Sequence, residues 1–61
     1  MSNPTETQNA MLDMSQAKRD LEYAFIAYGA KDDPIPDMLM WLRHAKRNIE
    51  SAEARLEKEA K

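Results

Sequence analysis

The sequence predicts an all-α fold: an antiparallel two-helix hairpin, coiled-coil-like, that self-associates into a helical oligomer. Three observations carry this. One proline-rich interruption divides the 61 residues into two long stretches. Each stretch has an apolar seam with coiled-coil spacing. An eight-residue segment recurs 28 residues further on, an offset of four heptads.

The chain reads as a single domain over residues 1–61, with a helix at 4–30, a turn at 31–35 and a helix at 36–59. Asn3 is placed to cap the first helix. Pro4 suits its first position, and Glu6 completes a variant capping box. Nothing then interrupts the helix except Gly29, which lies where a C-terminal glycine is expected. Lys31-Asp32-Asp33-Pro34-Ile35-Pro36 holds two prolines and two aspartates in six residues and reads as a turn. The prolines disfavour helix at Asp33 and Ile35. The second helix is therefore expected to start at Pro36, with Asp37 favourable in its first turn. Each helix is on the order of 35–40 Å long. Isolated helices gain little in water, so each must bury a face.

The repeat pairs Ala17-Lys18-Arg19-Asp20-Leu21-Glu22-Tyr23-Ala24 with Ala45-Lys46-Arg47-Asn48-Ile49-Glu50-Ser51-Ala52, five of eight positions being identical. The seams follow the same offset. Met14, Ala17, Leu21, Ala24 and Tyr28 step by 3, 4, 3, 4, as do Leu42, Ala45, Ile49, Ala52 and Leu56. The expected packing alternates Ala layers with Leu or Ile layers. A short loop makes the helices antiparallel neighbours. Residues whose numbers sum to roughly 68 then lie opposite, so Asp13 should approach Arg55 and Asp20 should approach Asn48.

Composition narrows the function classes. A chain this short buries only about 60% of its unfolded surface, and such chains usually need disulfides, a metal or oligomerisation. There is no cysteine and only one histidine, so no disulfide, structural zinc site or other metal is expected. Oligomerisation is the remaining aid, and the expected partner is a second copy. The net charge is −2, which argues against DNA or RNA as a partner. Residues 1–33 carry three basic and six acidic side chains, against six and five in residues 34–61. The apolar run from Met38 to Leu42 is far short of a membrane span. The polar start shows no signal-peptide pattern, and a cytoplasmic location is expected.

Several apolar residues lie off the seams. Phe25 and Ile26 on the first helix, and Met38, Leu39, Met40 and Trp41 on the second, cluster towards the turn. A lone hairpin has one inner face and cannot cover them all, so they form the expected oligomer interface.

Arg43, Lys46 and Arg47 are spaced i, i+3, i+4 and project as one basic patch; Lys18 and Arg19 are the repeat counterparts of Lys46 and Arg47. Such a patch suits phosphate, or it is a solvated face that pairs with a neighbour's carboxylates. Tyr23 and Trp41 could stack on a base, or serve packing. Tyr28 fits the seam. His44 could titrate near neutral pH or simply be exposed. The alternation of Glu50, Glu53, Glu57 and Glu59 with Arg55, Lys58 and Lys61 is an ordinary solvated helix tail. No Gly-rich phosphate loop and no nucleophile–base spacing is present, so no enzyme activity and no cofactor are expected.

Leu21-Glu22-Tyr23-Ala24-Phe25-Ile26-Ala27 resembles the L-E-x-A-x-φ-x-A helix of small phage sponge proteins that sequester cyclic-nucleotide immune signals, with the second alanine one residue early. Those proteins are short helical hairpins that assemble into oligomers. The resemblance implies an anti-defence protein that sequesters a small anionic nucleotide-like ligand, in the host cytoplasm if the source is viral. It would make Lys18, Arg19, Arg43, Lys46 and Arg47 the phosphate ligands, with Tyr23 or Trp41 stacking on the base. The alternative expectation is a protein-interaction module, an inhibitor or assembly adaptor, that docks its apolar turn-end patch on a partner protein.

Overall fold

The computed structural model describes residues 5–30 and 32–60. Two helices form, α1 over Glu6–Ala30 and α2 over Ile35–Ala60. They pack against each other as the expected helical hairpin. The backbone outline is 47 × 23 × 10 Å, a slab two helices wide and one helix thick.

The start of α1 differs from the expectation in its cap. Asn3 and Pro4 lie outside the described residues. Thr5 caps the helix: the Gln8 backbone N–H donates to Thr5 Oγ1 at 3.1 Å, and the Thr5 N–H donates back to Gln8 Oε1 at 2.9 Å. This reciprocal capping box satisfies two otherwise orphaned donors. The Glu6 N–H donates to Glu59 Oε1 at 3.1 Å, so the far end of α2 closes over the first turn of α1.

Gly29 is not a left-handed terminator. No glycine has positive φ, and α1 continues through it to Ala30. Lys31 of the expected turn is outside the described residues, and Asp32 and Asp33 bend the chain into α2. That helix begins at Ile35, one residue before Pro36. Pro34 acts as its cap through its carbonyl, which accepts from the Met38 N–H at 2.9 Å. Pro36 then sits in the first turn, where a missing N–H has no intrahelical partner to lose.

The core is made of alanine. Ala10, Ala17, Ala24 and Ala27 of α1 and Ala45 and Ala52 of α2 are the buried apolar residues, with Ala10 fully covered. Alanine recurs every seven positions at 10, 17 and 24, and again at 45 and 52. Side chains this small allow the backbones to approach closely.

The expectation that Leu and Ile layers alternate with these alanines inside the seam is corrected. Met14, Leu21, Leu42, Ile49 and Leu56 are all exposed, Leu21 by 39%, and Tyr28 is 71% exposed. At about 100° per residue, Leu21 and Met14 lie about 40–60° to one side of the Ala17 direction. Leu42 and Ile49 stand in the same relation to Ala45. The alanines fill the contact line, and the large residues are displaced onto one broad side of the slab.

Candidate functional site

The two broad sides of the slab differ chemically. Asp13 and Asp20 lie about 40–60° from Ala17 on the side opposite Leu21. Asn48, Arg55 and Ser51 come from α2 to meet them. Asp13 Oδ2 accepts from Ser51 Oγ at 2.7 Å and from Arg55 Nε at 3.0 Å. Asp20 Oδ2 accepts from Asn48 Nδ2 at 2.8 Å. Both partners anticipated by the sum rule are therefore in place. Asp20 is only 8% exposed, so its hydrogen bond offsets a desolvation cost. Arg55 Nη1 also lies 3.6 Å from Glu6 Oε2, too long for a hydrogen bond, and that oxygen is buried without one. The contact is an ion pair only.

Nearer the turn this side becomes aromatic. The Tyr23 and Trp41 rings lie 4.7 Å apart at 36°. Trp41 and His44 follow at 5.7 Å and 46°. Trp41 is half-buried and Tyr23 exposed. The ring of Trp41 is occupied by two neighbours, a packing role. Tyr23 keeps more of its ring open.

The opposite side carries a row of apolar side chains between flanking charged residues. Met14, Leu21 and Phe25 come from α1, and Met38, Leu42, Ile49 and Leu56 from α2. Near the turn the side chains leave a notch of about 130 Å³ between Leu21, Ala24, Phe25, Met38 and Leu42. Phe25, at its edge, is 79% exposed. Sequence reasoning placed Phe25 and Met38 in an oligomer interface but assigned Met14, Leu21, Leu42, Ile49 and Leu56 to the hairpin's own seam, so the face as a whole was not singled out. The signal was present in the alanine heptads: when small residues fill the contact, the larger seam members must lie beside it.

The structure divides the expected interface residues. Phe25 and Met38 stand on the apolar side, and Trp41 on the aromatic one. Ile26, about 180° from Ala17, points outward from the edge of the slab. Leu39 lies at the rim of the apolar side, and Met40 faces away from it. The basic residues are divided too. Arg43, Lys46 and Arg47 are exposed on α2, and Lys18 and Arg19 are exposed on α1. Lys18 and Lys46 each project about 100° from the alanine line, so they flank opposite edges of the apolar face. Arg19 and Arg47 point outward from opposite edges. A single hairpin therefore does not gather these five cations into one pocket.

Among the described residues no group of three or more His, Cys, Asp or Glu could hold a metal ion. No helix there is long and apolar enough to cross a membrane. Compared with the models of known families, with characterised proteins and with solved structures, the chain matches none.

Proposed function

We propose that this chain is a non-enzymatic interaction module that works by docking its apolar face. One observation carries the reading: a row of large apolar side chains runs along one side of the hairpin, and none of the described residues covers it. Water-exposed apolar surface of this extent is unfavourable and marks an interaction site. The docking surface is the length of the slab rather than the turn-end patch alone. Its chemistry is that of helix-in-groove recognition, in which apolar anchors at helical spacing enter a complementary surface.

The test is substitution on this face with the fold monitored. Leu42→Asp should abolish cross-linking to whatever polypeptide the wild-type chain engages, while circular dichroism stays helical. Arg47→Glu, on the outer edge, should leave cross-linking unchanged. Equal behaviour of the two variants would remove the reading.

A second reading is an oligomeric sponge for a small anionic nucleotide-like ligand, in the cytoplasm of a host cell if the source is viral. Tyr23 favours it, because an exposed ring sits beside Trp41 and within reach of α2, which carries Arg43 and Arg47. In this reading the cations of separate subunits must converge on one ligand. Calorimetric titration of the purified protein with a panel of cyclic and ADP-ribose-type nucleotides tests it. Stoichiometric heat lost on Arg43→Glu supports sequestration, and an absence of heat removes it.

A further inference from the structure

We infer that the apolar face is covered by a second copy of this chain, forming a four-helix bundle from two hairpins stacked face to face. The inference rests on the docking-module reading and names its partner. Three features of the molecule support a second copy as the partner.

The first is area. The slab outline of 47 × 23 Å bounds the face at about 1,000 Å², large enough to hold the roughly 800 Å² per partner of a standard stable interface. The second is symmetry. The 28-residue repeat relates Met14 to Leu42, Leu21 to Ile49 and Tyr28 to Leu56. In an antiparallel pair this offset acts as a pseudo-twofold axis through the Leu21–Ile49 rung, perpendicular to the slab. The two edges of the face are then nearly equivalent, as an isologous contact between identical surfaces favours.

The third is charge. At about 100° per residue, Lys18 on α1 and Lys46 and Glu53 on α2 border the face, with Glu22 and Glu50 about 140–160° from the alanine line, just outside them. Stacking α1 antiparallel on the partner's α2 sets Lys18 level with the partner's Glu50 and the partner's Glu53. The same register sets Glu22 level with the partner's Lys46. The twofold repeats both sets at the opposite edge. The face thus combines an apolar centre with a rim that is complementary to itself, the usual anatomy of a specific interface.

The alanine core supplies the reason for dimerisation. Among the described residues the buried apolar side chains are all alanine methyl groups, and the larger ones beside them are only partly covered. Stacking two copies would cover the rest of Met14, Leu21, Leu42, Ile49 and Leu56, which the single hairpin leaves 39–46% exposed, and of Phe25, left 79% exposed.

Size-exclusion chromatography with light scattering on the purified full chain at about 100 µM tests this. The expected mass is about 14 kDa, twice the 7.0 kDa of one chain. Leu21→Asp, on the central rung, should shift the species to monomer. Because that variant could also unfold, Phe25→Ala provides an independent reading. Phe25 is 79% exposed in the hairpin, so the hairpin itself barely depends on it, yet dimer dissociation should strengthen about tenfold, as for a buried aromatic anchor. A helical wild-type monomer at this concentration overturns the second-copy inference. It leaves the docking-module reading to the cross-linking comparison of Leu42→Asp and Arg47→Glu. A trimer or larger species overturns the two-hairpin bundle, as does a dimer that neither substitution weakens.

Discussion

Asp20 and Asn48 occupy equivalent positions in the two repeats, and they differ for a reason visible in their contact. The antiparallel arrangement brings them together at 2.8 Å on the polar side, with Asp20 nearly covered. Two aspartates at that distance would repel, whereas the amide of Asn48 donates to the carboxylate. Asn48→Asp is therefore expected to lose about 1–3 kcal/mol at pH 7. Like-charge repulsion raises the folded-state pKa of one carboxyl above its unfolded value. The penalty is present above that folded pKa and relieved as pH falls through it. Urea denaturation of wild type and variant at pH 7 and pH 4 checks both size and sign: the stability gap should narrow at the lower pH. Asp20→Ala should cost about 1–2 kcal/mol by leaving the Asn48 amide unpaired. The double variant Asp20→Ala, Asn48→Ala should cost less than the sum of the two single changes, since the residues share one bond.

At the scale of the helices, the chain's turn and termini test different physics. Thr5 and Gln8 close the start of α1, and Thr5→Ala should remove about 1 kcal/mol, seen as a lower thermal midpoint. Gly29 sits inside the helix with ordinary φ, and nothing lies within 4 Å of where a Cβ would stand. Gly29→Ala should then stabilise by up to about 1 kcal/mol, because alanine loses less backbone freedom in a helix. Had Gly29 been the left-handed terminator that its position near the helix end implies, the same substitution would destabilise. The measurement thus separates the two conformations. Ala17 and Ala45 lie on the contact line and are buried. Ala17→Leu should force the helices apart and cost about 1–3 kcal/mol, as overpacking does.

At the scale of the whole molecule, folding and assembly are coupled if two hairpins stack. The thermal midpoint should rise with protein concentration, because a partner that binds only the folded chain stabilises it by mass action. Melting curves followed by circular dichroism across a hundredfold concentration range check this, and a midpoint independent of concentration would mark a hairpin that folds alone. Much of the architecture was legible from the chain: the two helices, their antiparallel pairing, and the Asp13–Arg55 and Asp20–Asn48 partners all follow from the break at Asp32–Pro36 and a fixed residue sum. The candidate site was less legible. Residues grouped by nearness in sequence, such as Leu39, Met40 and Trp41, project in different directions from α2, so a run of apolar letters does not make a surface.

The repeat and its 3, 4, 3, 4 seam determined by themselves that each helix has one apolar stripe and that the stripes meet in register. Periodicity reports the direction of a stripe around its own helix, and the sum rule reports which positions lie level. Neither reports how far apart the axes sit. That distance is decided by which side chains fit between two backbones. Here the alanines at 10, 17, 24, 45 and 52 are buried in the contact, and Leu21, Leu42 and Ile49 stay 39–46% exposed beside it. The tertiary structure alone settled that these residues stand beside the contact rather than in it. An apparent core seam became an exposed apolar face for the same reason.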